Sequence, residues 1–420
     1  TLKHGQRRCN QLCLCFFIVV IPIDERSNAE MKRFDEAFHG LERPFAWLDL
    51  DAFDANIDYV ASKTNKPIRI ATKSVRSVQL LRYIADRLPN VVGYMTYTAA
   101  ETVYLLEQGF DHLLLGYPVM EPYAIKKCLQ SVKQGKDVTF MVDHLDQVKY
   151  LVDLAKPLNV VVPICLDINV SVDFRLLYFG TKRSPLHSYE TVAKLLSEIE
   201  GMNVEVKGVM TYEAQVAGVA DLPDATVTSK IKSRLIQQMK SKSLTQIEKI
   251  RNETISIIRH LNAPSIINGG GSGSIDFTNS LDVTEITVGS AFLAPALFDR
   301  YQSLNLKKAS GFALTVVRQF DAQTVVCHGG GYIASGAPGS DRLPSFYEEG
   351  RYTYLSLEGA GEVQTPIIDK SQSLTIGDTV YFRHAKAGEL CERFLTLHAI
   401  RGNDYAGRYL TYRGEGQCFL

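Results

Sequence analysis

The chain is short of several features that would mark it as something other than a globular enzyme. Its 46 Lys plus Arg residues equal its 46 Asp plus Glu, giving a formal net charge of zero, so no whole-chain electrostatic footprint exists for nucleic acid or an anionic membrane. Cysteine is sparse. Cys9, Cys13, Cys15, Cys128, Cys165, Cys327, Cys391 and Cys418 are too irregularly spaced for a disulfide framework, which points to a reducing, cytoplasmic compartment. Long apolar runs are also lacking. The run Leu12 to Ile23 follows basic residues as in a signal peptide, but it is too short to span a bilayer and has no small-residue cleavage pattern. Residues 1–30 are therefore read as an upstream or non-native leader, with a targeting segment as the alternative, and its three cysteines carry little weight as metal ligands. There is no internal repeat, no low-complexity tract, no GxGxxG fingerprint and no GK[ST] phosphate loop.

What is present is the composition of a large folded core, with 45% hydrophobic and 22% charged residues over 420 positions. From Phe45 onward, short β-branched runs alternate with amphipathic stretches such as SVQLLRYIADRL and YETVAKLLSEIE. Candidate strands fall at 67–72, 91–96, 112–116, 138–142, 160–167, 204–211, 265–267 and 285–288. Parallel strands in that number, with helices between them, match a (β/α)8 barrel over residues 45–300, with a doubly wound open sheet as the runner-up. The Lys- and Arg-rich stretch from Thr228 to Asn262 reads as one long helix whose charges form a solvated outer face. Beyond residue 300, runs such as FALTVVRQF, DTVYFRHA and FLTLHAIRG alternate and are broken by Gly, Pro and Asp, the pattern of a smaller all-β domain over 301–420 that residues 34–44 would join.

In such a barrel the chemistry lies just after each strand. Lys73 follows the first strand, IRIAT, where burial among apolar walls would lower its pKa and make it a nucleophile toward carbonyls; the plain alternative is a surface lysine opening the next helix. The seventh strand runs into NGGGSGS, residues 268–274, whose backbone N–H groups and Ser272 and Ser274 hydroxyls would form a phosphate cup, or simply a flexible turn. An amine and a phosphate cup on one barrel face suggest pyridoxal 5′-phosphate (PLP), which needs both.

The order WLDLDAFDANI (47–57), IRIATKS (68–74), LDINVSVDFR (166–175), GVMTYEAQ (208–215), NGGGSGS and VGS (288–290) resembles the fold-type III PLP enzymes, the alanine racemase-like barrels, and within them the D-threonine aldolase and D-serine dehydratase branch, over about residues 45–400. The resemblance implies that Lys73 carries PLP as a Schiff base, that Arg175 and Tyr212 line the cofactor, that Gly270, Gly271, Ser272 and Gly273 hold its phosphate, and that Gly289 lies beside it. Tyr212 and Glu213 alternate on a strand, so only one of them faces the barrel interior. That branch binds a divalent metal with a His-x-Cys or His-x-Asp pair. Here the stretch is YFRHAKAGELCERF (381–394), with His384 in the first position and Lys386 in the second. An ammonium cannot ligate a metal, so either Glu389, Cys391 or the Cys327–His328 pair substitutes, or Lys386 supplies fixed charge while His384, with an ordinary pKa of about 6.5, moves the proton. The second option is favoured. A helix or hairpin here would put His384, Lys386 and Glu389 on different faces, and the sequence does not say which of them faces the cofactor; the Gly-rich stretch 329–344 comes near the barrel mouth or is merely a β-domain turn.

The expected activity is that of a PLP-dependent lyase acting on a D-amino acid or β-hydroxy amino acid by Cα–Cβ cleavage or β-elimination. An amino-acid racemase, a PLP carrier or a cofactor-free Schiff-base sugar aldolase are the alternatives. The resemblance also implies a homodimer in which the stretch around His384 lines the partner's site, with a small-molecule substrate and neither nucleic acid nor membrane as partner.

Overall fold

A computed structural model describes residues 31–173, 178–218, 227–261 and 264–420. The leader read over 1–30 lies outside the described residues. The first strand, β1 (Phe45–Asp49), does not enter the barrel. The barrel strands follow: β2 (Ile68–Ala71), β3 (Val91–Thr96), β4 (Leu113–Leu115), β5 (Val138–Val142) and β6 (Val162–Asp167). A small hairpin, β7 (Val172–Asp173) and β8 (Tyr178–Phe179), interrupts the series before β9 (Val204–Thr211), β10 (Ile266–Gly269) and β11 (Glu285–Val288) complete it. The closed order is β10-β11-β2-β3-β4-β5-β6-β9, every neighbour parallel, so all eight runs picked out in the sequence are barrel strands and the open-sheet alternative is set aside.

These strands are apolar along most of their length because both faces are covered, one by the barrel interior and the other by helices. VTFMV and VPICLD, for example, are buried at every position. The helices carry polar caps where the strands hand over: Ser77, Thr98 and Ser188 each accept a backbone N–H in the first turn. Inside the barrel, Leu114, Met141, Cys165, Met210 and Ile266 pack together. Beside that cluster Arg69 forms a two-pronged pair with Glu285, at 2.6 and 2.8 Å, and Glu285 also accepts from Asn268 Nδ2 at 2.8 Å. The pairing satisfies both charges, as burial demands. The long helix runs from Val227 to Leu261, and its charges are not all solvated: Arg251 is fully buried against Glu213.

The chain then builds a mixed sheet from β12 (Ser310–Gln319), β13 (Thr324–His328), β14 (Ser345–Phe346), β15 (Tyr352–Tyr354), β16 (Gln364–Asp369), β17 (Thr379–Arg383), β18 (Thr396–Arg401) and β19 (Asp404–Leu410). β1 is inserted between β12, antiparallel, and β18, parallel. The helical segment 31–37 covers this sheet, and Phe34 and Phe38 pack with Trp47, Tyr347 and Tyr381 in an aromatic cluster. Among the described residues no helix is long and apolar enough to cross a membrane.

Candidate active site

Lys73 sits on a 3-10 turn, Thr72–Ser74, directly after β2. The turn is held from below by Thr72 Oγ1, which donates to the Met95 carbonyl at 2.9 Å, and from outside by Arg76, whose Nε donates to the Lys73 carbonyl at 2.9 Å. Arg76 itself takes a left-handed conformation, φ +51°. The expectation of a buried Lys73 among apolar walls is corrected: the residue is exposed, and its Nζ donates to Tyr117 Oη at 2.6 Å. The cavity wall above it is polar and aromatic.

The NGGGSGS turn lies across the barrel mouth from this amine. A cavity of about 180 Å³ separates them, lined by Lys73, Tyr97, Tyr117, Arg183, Tyr212 and the turn. Gly270 takes φ +90°, open to glycine at little cost. A Cβ at Gly271 would lie 3.0 Å from the Tyr212 ring, and one at Gly289 would lie 2.7 Å from the Ala71 carbonyl, so side chains at either place would fill the cradle. Gly270, Gly271, Ser272 and Gly289 line the cavity, whereas Gly273 packs on the Ala217 carbonyl and Tyr301 and faces a neighbouring hollow. Ser272 Oγ accepts from Ala291 N at 2.9 Å, which leaves its own hydrogen to donate. Ser274 does not act as a second hydroxyl donor to the cup, because its Oγ takes Gly271 N at 3.1 Å and bonds back to the Gly271 carbonyl at 3.3 Å.

At the end of β9 the alternation is resolved: Tyr212 lines the cavity and Glu213 points behind it. Burial pushes the Tyr212 phenol up to about 12, so it is a donor at neutral pH. Glu213 is fully buried, accepts from Gly270 N at 3.2 Å and Arg251 Nη2 at 3.1 Å, and bonds Thr278 Oγ1, so it fixes the glycine turn from behind.

Arg175 lies outside the described residues. The guanidinium that the structure places in the cavity wall is that of Arg183. Its Nε and Nη2 donate to Asp167 Oδ2 at 2.9 and 2.6 Å, and its Cζ lies 5.7 Å from the Tyr117 ring centre and 6.0 Å from that of Tyr212. Sequence reading missed it because the β7–β8 hairpin separates it from the strand end. The available signal was Asp167, a carboxylate in an apolar strand that requires a cation. Tyr97, after β3, was missed as well. It is only 5% exposed, lines the cavity, and its hydroxyl has no hydrogen-bond partner among the described residues.

The second sheet closes the mouth. His384, Lys386 and Glu389 line the same wide cleft as Lys73 and Tyr212 of their own chain. The reason is local: the 384–392 loop is laid against the Lys73 turn of its own chain, tied by Arg76 Nη1 to Glu392 Oε1 at 2.5 Å. Lys386 Nζ donates to the carbonyl and hydroxyl of Ser335, at 3.2 and 3.0 Å, and lies 3.7 Å from Glu389, which in turn binds Ser335. The Gly-rich stretch 329–344 thus reaches the barrel mouth through Ser335. His384 is 3% exposed, its ring packed beside the Ser310 backbone. Burial, helped by neighbouring Arg383, pushes its pKa down to about 3, which corrects the expectation of an ordinary imidazole that moves a proton: at neutral pH the ring is uncharged and resists protonation. The described residues contain no group of three or more His, Cys, Asp or Glu side chains placed to hold a metal ion. Cys327 and Cys391 are buried and unpaired, and burial pushes both thiols up to about 12, so neither offers a ready thiolate.

Comparison with known proteins agrees with this arrangement. A family model described as "Alanine racemase, N-terminal domain" matches residues 48–292. The 3-hydroxy-D-aspartate aldolase of Paracoccus denitrificans (strain Pd 1222) is 23% identical over 274 residues, 64% of this chain and 64% of that protein, so the match spans less than two thirds of its length. Among solved structures, D-threonine aldolase from Filomicrobium marinum superposes with a TM-score of 0.74 at 16% identity, covering 90% of this chain and 96% of that one. D-threo-3-hydroxyaspartate dehydratase from Delftia sp. HT23 gives 0.70 at 15% identity, covering 89% and 98%. These two likenesses establish a shared fold.

Proposed function

Because the chain belongs to the alanine racemase N-terminal domain family, we propose that it is a PLP-dependent lyase acting on a β-hydroxy D-amino acid, by Cα–Cβ cleavage or by β-elimination. The observation that carries this reading is the pairing of the Lys73 amine with the glycine cradle across one small cavity. The cradle fits a phosphate because Cβ atoms are absent where backbone must approach, and Ser272 has a hydroxyl hydrogen to offer. The names of the Paracoccus relative and the structural neighbours support the reaction class.

On this reading Lys73 would hold PLP by its aldehyde, Gly270, Gly271, Ser272 and Gly289 would receive its phosphate, and Tyr212 and Arg183 would line the rest of its site. When bound, PLP serves as the electron sink for the bond broken at the substrate's Cα. Tyr117, accepting from Lys73 Nζ, keeps the amine turned into the cavity. Arg183, held by Asp167, presents fixed positive charge to a phenolate or carboxylate. Lys386, fixed by Ser335, supplies the charge that a metal supplies elsewhere, and His384 borders the same cleft as an uncharged ring.

The test is product analysis after incubating PLP-loaded protein with D-threonine and the 3-hydroxyaspartates. Glycine plus an aldehyde identifies cleavage, a keto acid plus ammonia identifies elimination, and a mere change of enantiomer would overturn the lyase reading in favour of a racemase. The same assay after exhaustive chelation is expected to retain most activity. Loss on chelation, restored by zinc or manganese, would remove Lys386 from its role.

The homodimer and the cytoplasmic location are part of the same proposal. Tyr117, Met120 and Tyr123, on the segment after β4, are 37%, 50% and 73% exposed, an apolar patch beside the mouth that a second copy would cover. A monomer by sedimentation at micromolar concentration would count against the dimer. Cys128, Cys165, Cys327 and Cys391 are buried without disulfides, in keeping with a reducing compartment.

A further inference from the structure

Buried carboxylates in this fold face arginines. Asp49 pairs with Arg33, Asp167 with Arg183, Glu213 with Arg251 and Glu285 with Arg69, while Glu348 and Asp369 share Arg351. Glu101 is the exception: it is fully buried, with no ion-pair partner among the described residues.

Glu101 stands in the first turn of the helix Ala99–Glu107, which follows β3. Its Oε2 accepts from Tyr97 N at 2.8 Å, its Oε1 accepts from Tyr412 Oη at 2.9 Å, and the Thr72 hydroxyl faces it as well. These partners belong to the cavity wall, to the stretch after β19 and to the turn that carries Lys73. Tyr412 N also donates to the Arg76 carbonyl at 2.8 Å, so backbone closes the same junction.

A carboxylate withheld from water without a cation is costly, and the neutral acid is the cheaper state. Thr72 points the same way. Its one hydrogen goes to the Met95 carbonyl at 2.9 Å, so toward Glu101 it offers a lone pair, which a protonated carboxyl meets and a carboxylate does not. The cation beside Glu101 is Arg76, already engaged by the Lys73 carbonyl through Nε and by Glu392 through Nη1, with its guanidinium 5.2 Å from the Tyr97 ring centre. Tyr97, Tyr104 and Tyr412 complete the titratable surroundings, and burial holds all three phenols well above neutrality. Burial likewise raises the Glu101 carboxyl, to about 7.

We propose that Glu101 is a positioning residue for Lys73: while its carboxyl carries a proton it clamps together the lysine turn, the Tyr97 wall and the end of the second domain, and when that proton passes to solvent the clamp loosens. The charged form would draw the Arg76 guanidinium away from the Lys73 carbonyl and from Glu392, which together seat the 384–392 loop on the lysine turn. The inference rests on the reading of Lys73 as the lysine that holds PLP, and it makes that hold responsive to protons near neutrality.

The experiment has two arms, both on the full chain. In the first, infrared spectra without PLP should show the carbonyl band of a protonated carboxylic acid at about pH 6 that fades by about pH 8 and is missing from Glu101→Gln. In the second, the PLP dissociation constant is measured by visible absorbance at the same two pH values. Glu101→Gln imitates the neutral acid, because its carbonyl can take the Tyr97 N–H while its amide donates to the hydroxyls. The weakening of PLP binding between the two pH values should be about three- to tenfold greater in the unaltered protein than in Glu101→Gln, the cofactor's own ionisations being common to both. Equal pH dependence in the two proteins, as a merely structural Glu101 would give, or the lack of a protonated carboxyl at the lower pH in the unaltered protein, would overturn the assignment of Glu101 while PLP uptake left the reading of Lys73 intact. A protein that takes up no PLP would overturn that reading, and this inference with it.

Discussion

Gly388 lies against the backbone carbonyl of Lys73: a Cβ built on Gly388 would fall 2.0 Å from that oxygen. The last third of the chain is therefore seated on the turn that carries the barrel's lysine. Gly388 takes φ +85°, a conformation that an L side chain adopts only with strain.

Gly388→Ala is thus expected to displace the 384–392 loop from the Lys73 turn while leaving the barrel folded. Visible absorbance of bound PLP should persist, and kcat should fall by about tenfold or more, as misplaced groups at a reaction centre usually cost. A Gly388→Ala protein with unchanged kcat and KM would show that this contact is incidental.

Gly271→Val addresses the cradle. The first added carbon already meets the Tyr212 ring at 3.0 Å and Ala217 Cβ at 3.1 Å, so a branched side chain must push the ring into the cavity. PLP affinity should drop by about a hundredfold or more, with far-UV circular dichroism unchanged. Gly273→Ala separates cradle from packing, since Gly273 touches the Ala217 carbonyl and Tyr301 outside the cavity: it should cost stability before it costs cofactor affinity.

His384 makes a prediction about pH. Its folded pKa is about 3, and an unfolded imidazole titrates near 6.5, so between those values the unfolded chain binds the extra proton. Stability is lost as pH falls through that window, by up to about 1.4 kcal/mol per pH unit on this group's account. His384→Gln should flatten the dependence of denaturation midpoint on pH between about 4 and 6, while unaltered protein should show no His384 titration near neutrality in kcat/KM. An imidazole resonance of His384 titrating near 6.5 by NMR would refute the assignment of a neutral, buried ring.

Much of this was legible in the sequence, and the remainder failed for identifiable reasons. The barrel strands announce themselves because VTFMV or VPICLD can only be buried on both faces, and Lys73 and the NGGG turn follow their strands directly. Arg183 was hidden because a hairpin inserted after β6 returns the chain to the strand end, a contact that linear spacing does not encode. The seat of 384–392 on the Lys73 turn joins residues more than 300 positions apart through Arg76 and Glu392, and nothing local to either segment signals it. The burial of Arg251 was hidden in the same way: within a Lys- and Arg-rich helix it reads as solvated until Glu213 is found opposite it.

The most direct test is borohydride reduction of the PLP-loaded protein followed by peptide mapping. A single pyridoxyl adduct on the peptide containing Lys73, absent from Lys73→Ala purified in parallel together with its visible absorption band, is the expected result. An adduct on another lysine, or covalent trapping that survives in Lys73→Ala, would contradict it.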